Sequence, residues 1–247
     1  MICLFQVLYG MFEIRINKRE FLDETDCDPQ VAAGSYWFMK LVNRFGGGTR
    51  AVKNFLARDM YVRDPNRITK VLDIGSGTCD IPLVITKWAK KQGRRIEFTC
   101  VETNQTAIKI AEQNIRKSGY DSIELKNVNF LEFHPRQSFD YATGSMFFHH
   151  FEDEQIPALI KKLRSYVRSG ILINDLRRNS ISYTICFFLV CLLPGRIRHD
   201  ALLSIRKGFK PDELRRLLSR VENVQVSVEI LNFSRLAATV KFNNGVE

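Results

Sequence analysis

Short apolar runs alternate with segments of helical periodicity along the chain. Strand-like runs occupy 71–74, 95–102, 122–129, 139–145, 171–174, 224–231 and 235–242, and helical periodicity covers 31–45, 49–57, 81–91, 106–117 and 158–167. Strands that alternate with helices predict an α/β fold with a mostly parallel sheet. The last two strands follow each other directly, which predicts an antiparallel hairpin at the end of that sheet.

The first predicted strand ends in a tight turn that contains two glycines, Gly75 and Gly77. Gly75 can adopt a positive φ, and Gly77 lets the backbone approach a nucleoside closely. A dinucleotide site would need a third glycine where Asp80 stands, and a phosphate-binding loop would need Gly-Lys-Ser/Thr, which this turn lacks. A strand-to-helix turn that binds no ligand is the remaining alternative.

The second predicted strand ends in Glu102, 25 residues after Gly77. One βαβ unit downstream of a glycine turn, a carboxylate can accept hydrogen bonds from both hydroxyls of a ribose held over the glycines. A solvated surface carboxylate or a helix-capping partner is the alternative. The spacing from the glycine turn favours the ribose contact.

These residues resemble the class I S-adenosylmethionine-dependent methyltransferases. The first motif of that family is similar to 73–82, the fourth-strand motif to 139–151, and the fifth-strand motif of the ubiquinone/menaquinone-type branch to 170–178. The resemblance implies a Rossmann-like, seven-stranded, mostly parallel sheet. It also implies a helical N-terminal lid over 1–65, a methyltransferase domain over 66–247, and a helical insertion over 179–207 after the fifth strand. Cys79 departs from the pattern, because many members carry a third glycine there.

The resemblance implies S-adenosylmethionine as the cofactor and no metal. The residues it assigns to cofactor binding are Asp73, Gly75, Ser76, Gly77, Glu102, Thr103, Asn129, Phe130 and Ser145. Family members often carry an aspartate at position 129, where it accepts from the adenine amino group. The amide oxygen of Asn129 can still accept a hydrogen bond there.

The implied activity is methyl transfer to a small, hydrophobic acceptor through a hydroxyl or an acidic carbon, as in a phenol, a polyketide or a quinone precursor. Such an acceptor loses a proton to a base, for which the sequence offers His150 first and His149 second. Acceptor binding is expected from Tyr36, Arg177, Arg178 and His199.

Two other functions stay open at this stage. RNA or protein methylation is favoured by the net charge of +10. Amine methylation, however, usually requires Asn/Asp-Pro-Pro-Tyr/Phe after the fourth strand, where this chain has Thr143-Gly144-Ser145-Met146. The third possibility is a relative that binds the cofactor without catalysis.

The basic residues are scattered, without the interleaved aromatics or zinc spacing of nucleic-acid-binding modules, so a nucleic-acid partner is not expected. The six cysteines form no C-x-x-C pair. They predict free thiols in a reducing compartment, and hence a cytoplasmic protein.

Two apolar segments require an explanation. Residues 1–16 lack the basic start and the cleavage site of a secretory signal, and we expect a helix packed on the domain. Residues 181–193 are apolar on nearly every side, yet too short to span a bilayer. They predict a helix in the core, against the acceptor pocket, or at a membrane surface that the basic residues up to position 207 would meet.

Overall fold

The computed structural model describes residues 12–24, 27–60 and 66–242, together with residues 10 and 64. The helix predicted over 1–16 lies largely outside the described residues. The strands are β1 (Ile68–Ile74), β2 (Arg95–Glu102), β3 (Ile123–Asn127), β4 (Phe139–Ser145), β5 (Val167–Leu176), β6 (Val224–Ile230) and β7 (Arg235–Phe242). The helices are α1 (Pro29–Phe45), α2 (Gly48–Met60), α3 (Asp80–Lys91), α4 (Gln105–Ser118), α5 (Gln155–Arg164), α6 (Ser180–Val190), α7 (Gly195–Lys207) and α8 (Pro211–Leu218).

The seven strands form one sheet in the order β3-β2-β1-β4-β5-β7-β6. Strands β1 to β5 pair in parallel, and β7 pairs antiparallel with both β5 and β6. The predicted fold class and the closing hairpin are therefore confirmed. The order reverses direction between β1 and β4, and ligands of such sheets bind at the carboxyl ends of the strands beside that point.

The central strands are buried on both faces because successive side chains point to opposite sides. Leu72 and Ile74 of β1 belong to one apolar core, and Val71 belongs to the core on the other face. Helices on both faces of the sheet cover these cores. This packing fixes β1, and with it the turn that follows its last residue.

The fifth strand begins earlier than its sequence predicts. Helix α5 ends at Arg164, and β5 runs over ten residues from Val167, whereas the helical periodicity of the sequence predicts a helix up to 167. Gly170 lies inside this longer strand, and a Cβ there would lie 2.7 Å from the Val240 carbonyl oxygen on β7. The neighbouring strand requires glycine at this point, and that requirement is invisible in the local pattern.

The three glycines after α1 end one helix and begin the next. Helix α1 ends at Phe45, Gly47 adopts a φ of 87°, and α2 starts at Gly48. A Cβ on Gly48 would approach the side chains of Asn43 and Arg235. The glycines therefore act as a helix stop with a close approach to β7.

The insertion after β5 forms the helical pair α6 and α7, which pack against each other. Helix α6 is not a core helix, because Phe187, Phe188 and Leu189 are exposed. In the described part of the chain, no helix is both long and apolar enough to cross a membrane.

Candidate functional site

A cavity of about 720 Å³ opens at the carboxyl ends of β1, β2 and β4. It lies beside the point where the strand order reverses, as expected for a parallel sheet of this kind. Its volume falls within the range of roughly 300–1,000 Å³ that small-molecule sites occupy. Its walls come from the strand ends, helix α1 and residues 22–24, which reach over from the N-terminal segment.

The turn after β1 adopts the left-handed backbone that its glycines permit. Gly75 has a φ of 63° and Gly77 a φ of 53°. A Cβ on Gly75 would overlap the ring of Phe147, and a Cβ on Gly77 would lie 3.4 Å from the ring of Tyr36. Both glycines border the cavity, so the chain approaches it there with backbone alone.

Cys79 also adopts a left-handed conformation, with a φ of 56°, and its side chain is fully buried. The third position of the turn thus has the backbone that suits glycine, but it carries a thiol. A left-handed non-glycine residue costs roughly 1–2 kcal/mol. The turn keeps its shape despite this departure.

The carboxylate of Glu102 binds the glycine turn directly. Its Oε2 accepts from the Gly77 N–H at 2.8 Å, and its Oε1 accepts from the Thr103 and Asn104 N–H groups at 2.8 and 2.9 Å. Each carboxylate oxygen can accept two hydrogen bonds. Oε2 therefore keeps one acceptor position for a ligand hydroxyl.

Two carboxyl groups, those of the buried Asp73 and the half-buried Asp80, border the same cavity. Burial raises the pKa of Asp73 to about 7, although the Thr143 hydroxyl donates to its Oδ1 at 2.6 Å. Burial also raises the pKa of Asp80, and Asn43 donates weakly to it at 3.4 Å. Each acid lacks an ion-pair partner within 4 Å among the described residues. A cationic ligand group would supply that partner.

The wall after β3 and β4 carries the other expected cofactor residues. Asn129 caps a short turn, accepting from the Leu131 N–H at 2.9 Å, which leaves one lone pair on its amide oxygen. The ring of Phe130 packs edge-to-face against Phe147. The Ser145 hydroxyl accepts from Asn174 at 2.9 Å. All nine residues assigned to the cofactor border this one cavity.

The two adjacent histidines occupy different environments. His150 borders the cavity, and its Nδ1 lies 3.2 Å from an Asp23 carboxylate oxygen and 3.2 Å from the Lys207 ammonium. His149 is buried and does not border the cavity; its Nδ1 lies 2.6 Å from an Asp175 oxygen. Burial alone would lower the pKa of His149, but the carboxylates of Asp175 and Glu20 raise it to about 9. The expectation of His149 as a base is therefore corrected, because it is protonated and out of reach.

Three residues expected to bind the acceptor lie away from the cavity. The buried guanidinium of Arg178 donates to the carbonyls of Phe12 and Gly208 and pairs with Glu213 at 3.0 Å. Arg177 pairs through its backbone with Ser234. His199 is half-exposed beside Asp200 on α7. Sequence proximity to β5 was misleading here; of the expected acceptor residues, Tyr36 alone borders the cavity.

The structure adds residues that the sequence did not indicate. Asn43, Asp80 and Phe147 border the cavity, and so does Asp23. Only Asp80 carried a local signal, since it stands in the glycine turn. The contact between Asp23 and His150 joins residues 127 positions apart, and no local pattern predicts it.

Glu20, His149 and His150 place three ligand-type atoms close together, as a metal site would. The ammonium of Lys207 already lies in this group, 2.9 Å from Glu20 and 3.2 Å from His150. That ammonium supplies the positive charge the carboxylate needs. The cluster is therefore a network of protein charges.

Residues 71–170 match a family model described as a methyltransferase domain. A ubiquinone/menaquinone biosynthesis C-methyltransferase, UbiE, from Rickettsia bellii is 27% identical over 173 residues, 66% of this chain and 62% of that protein. The UbiE of Rickettsia akari is 29% identical over 120 residues, 46% of this chain and 45% of that protein. The alignments thus span less than two thirds of these relatives.

Solved structures share the fold over most of the chain. The plantazolicin methyltransferase BpumL, in complex with a triazolic desmethylPZN analog and SAH, superposes with a TM-score of 0.67 at 15% identity, covering 91% of this chain and 93% of that one. Magnesium protoporphyrin IX methyltransferase from Synechocystis, with bound SAH, gives 0.55 at 12% identity, covering 79% and 81%. At such identities the likeness establishes the fold.

Proposed function

We propose that this chain, which carries a class I S-adenosylmethionine-dependent methyltransferase domain, transfers a methyl group from that cofactor to a small, apolar acceptor. The observation that carries the proposal is the hydrogen bond from the Gly77 N–H to Glu102, in the same cavity as the carboxyl groups of Asp73 and Asp80. The free lone pair of Oε2 suits a ribose hydroxyl. The acids suit the ammonium of the cofactor's methionine part. A dinucleotide would instead bring its pyrophosphate against Asp80.

The cofactor supplies a methyl group on a positively charged sulfur, which an acceptor nucleophile attacks in line. The protein's contribution is alignment, because fixing two reactants in the reactive geometry removes much of the entropic barrier. The cofactor is held by the glycine turn, by Glu102 and by the two acids, Asp73 and Asp80. The aromatic side chains of Tyr36, Phe147 and Phe151 border the rest of the cavity and suit an apolar partner.

His150 is the base in this proposal. We assign the Nδ1 proton of His150 to the hydrogen bond with Asp23, which leaves Nε2 as the acceptor for a proton from the substrate. Lys207 is the competing partner of Nδ1, but its ammonium lies closer to Glu20, at 2.9 Å. Burial would raise the pKa of Asp23, yet the hydrogen bond with His150 lowers it overall, so Asp23 remains charged near neutral pH.

A base at this position suits an acceptor that must lose a proton, which means a hydroxyl group or an acidic ring carbon. The UbiE relatives are named for C-methylation in ubiquinone and menaquinone biosynthesis, which supports a quinone precursor as the first acceptor to test. The likeness to the plantazolicin methyltransferase supports the fold and selects no acceptor.

The test is transfer of a radiolabelled methyl group by the purified full chain. Quinone precursors, phenolic polyketides and tRNA are offered separately, and we expect label in the small-molecule fractions. Glu102→Ala should lose the transfer, whereas Glu97→Ala, an exposed change on the same strand, should retain it. Label in tRNA alone would contradict the proposed acceptor. Absence of cofactor binding by calorimetry would contradict the function itself.

A further inference from the structure

Helix α6 exposes several large apolar side chains to solvent, whereas the polar side chain of Ser182 faces the protein. Ser182 is 1% exposed, and its hydroxyl donates to the Phe233 carbonyl. We define the α6 patch by the exposed apolar residues of α6 and the turn after it, Ile181, Phe187, Phe188, Leu189 and Leu192, which are 61, 46, 69, 66 and 94% exposed. A contiguous exposed apolar surface on a folded protein typically marks a site of interaction.

The fold fixes the orientation of this helix. Asn179 caps it, accepting from the Ser182 N–H at 2.8 Å, and the same side chain donates to the Phe233 carbonyl at 2.8 Å. At the other end Val190 is completely buried, and α7 packs along the helix. The outward direction of Phe188 therefore follows from contacts at both ends of α6.

The exposed charged residues at the start of α7, next to the α6 patch, are positive. Arg196 and Arg198 are exposed at the start of α7, and Arg198 donates to the Cys191 carbonyl at the end of α6. Residues 180–207 contain one carboxylate, that of Asp200, which is 5% exposed and accepts from the N–H groups of Phe21 and Leu22. An anionic surface is thus the complement of this helical pair.

We propose that the α6 patch, together with Arg196 and Arg198, docks on an anionic phospholipid surface. The apolar side chains enter the acyl boundary, and the arginines meet the headgroups. A helix of 11 residues is about 16 Å long, roughly half of the hydrocarbon thickness, so it lies along the surface. A second copy of the chain fits less well, because a symmetric contact would oppose two sets of arginines.

Docking there would place the cavity close to the lipid. Asp200 on α7 holds the backbone at Phe21 and Leu22 with two hydrogen bonds of 3.0 Å, and Leu22 borders the cavity. Helix α1, which also borders it, packs on α7 where Gly34 meets Ile197. Trp37, one turn further along α1, is 58% exposed, and tryptophan favours the interface between membrane and water. An apolar acceptor dissolved in the lipid would have a short path to the site.

The test is sedimentation of the full chain with phosphatidylcholine vesicles, with and without phosphatidylglycerol, at low and high salt. We expect binding to the anionic vesicles that weakens with salt. Phe187→Ser/Phe188→Ser should lower the partition coefficient by roughly tenfold or more. Arg196→Glu/Arg198→Glu should remove the preference for phosphatidylglycerol. Val84→Ser, a change of a 51% exposed apolar residue on α3, is the matched control and should bind like the wild type.

Three results would overturn the proposal. The first is failure of the wild-type chain to sediment with anionic vesicles, and the second is equal sedimentation of the phenylalanine variant. The third is a dimer in analytical ultracentrifugation that this variant dissociates, which would assign the patch to a second copy. The melting temperature of the variant should not fall, because the two rings contribute little to the core. Cofactor binding by the variant tests the proposed function separately, since neither ring borders the cavity.

Discussion

At the scale of single residues, Glu102 has two tasks in this site. Its carboxylate organises three backbone N–H groups around the turn, and one acceptor position is left for a ligand. A hydrogen bond to a charged group contributes roughly 1.5–3 kcal/mol. Cofactor affinity and the order of the turn are therefore linked through one side chain.

We expect Glu102→Ala to weaken S-adenosylmethionine binding by about 1.5–3 kcal/mol, because the ribose loses its charged acceptor. The affinity of Glu102→Gln for the cofactor should lie between those of the wild type and the alanine variant. Its amide oxygen still accepts a hydrogen bond but carries no charge. Isothermal calorimetry on folded variants measures this series. Equal affinity of the alanine variant and the wild type would remove Glu102 from the ribose contact.

Asp73 predicts that cofactor binding depends on pH. Burial raises its pKa to about 7, so the acid is partly protonated at neutral pH in the free protein. A nearby ammonium would lower that pKa again, so binding should release a proton and affinity should fall as pH decreases below about 7. Calorimetry in two buffers of different ionisation enthalpy counts the released proton. Asp73→Asn should abolish the release, and a release unchanged in this variant would assign it to another group.

Cys79 offers a test of the turn's backbone energetics. Because its φ is 56°, glycine should be more stable there than alanine by about 1–2 kcal/mol, the reverse of the usual order within a helix. Chemical denaturation of Cys79→Gly and Cys79→Ala measures the difference. Both variants lose the buried thiol, so its contribution to the free energy of unfolding cancels in the difference between them. A more stable alanine variant would contradict the left-handed turn.

At the scale of elements, the segment around Asp23 depends on α7 for its position. The Asp200 carboxylate accepts from the N–H groups of Phe21 and Leu22, and Asp23 then reaches His150. The proposed base is thus oriented by a residue on an inserted helix, 50 positions away in the chain from His150. Loss of Asp200 should release this segment without altering the sheet.

We expect Asp200→Ala to reduce the hydrogen-exchange protection of the Phe21 and Leu22 amides by roughly 10–100-fold, since each loses a bond to a charged acceptor. Methyl transfer should slow, while cofactor affinity changes little. Asp200→Asn should recover part of the protection through its single oxygen. The exposed Asp212→Ala on α8 is the matched control. Unchanged protection in Asp200→Ala would show that other contacts hold the segment.

The elements that the sequence predicts correctly are those specified by local signals. The β1 turn and Glu102 could be found because a strand, two glycines and a carboxylate at one βαβ spacing are all short-range features. Arg178 was misassigned because its partners, the carbonyls of Phe12 and Gly208 and the carboxylate of Glu213, lie far along the chain. Its guanidinium binds these protein groups, although its position after the fifth strand suggests a contact with the substrate.

Helix α6 shows a different limit of sequence patterns. Its nearly uniform apolarity predicts burial or an interface but does not say which side chains face outward. The contacts of Ser182 and Val190 with the rest of the fold decide that Phe187 and Phe188 are exposed. Which side of the helix faces the protein is known only from its tertiary contacts, such as that of Ser182 with Phe233.

At the scale of the whole molecule, one network of buried charges joins the sheet, the N-terminal segment and the insertion. Asp175 lies at the end of β5, His149 follows β4, Glu20 belongs to the N-terminal segment, and Lys207 ends α7. The ion pairs run from Asp175 to His149 at 2.6 Å and from Lys207 to Glu20 at 2.9 Å, and His149 lies 3.7 Å from Glu20. These charges hold the segment that borders the cavity on the sheet.

This network predicts how stability depends on pH. The pKa of His149 is about 9 in the folded chain, against 6.5 for an ordinary histidine, so its contribution is complete below about pH 6.5 and is lost as pH rises through 9. For Glu20 and Asp175 burial would raise the pKa, but their cationic partners lower it overall. Their contributions are therefore lost only in acid.

We expect the free energy of unfolding to fall between pH 6.5 and 9 by up to roughly 3 kcal/mol, measured by urea denaturation at a series of pH values. His149→Gln should abolish this slope and destabilise the chain at neutral pH, because the charge of Asp175 is then buried without its partner. The double variant His149→Gln/Asp175→Asn controls for that effect, and it should be more stable than His149→Gln while also lacking the slope. A slope that persists in the double variant would show that the alkaline transition belongs to another group, and that the imidazolium of His149 does not hold the N-terminal segment on the sheet.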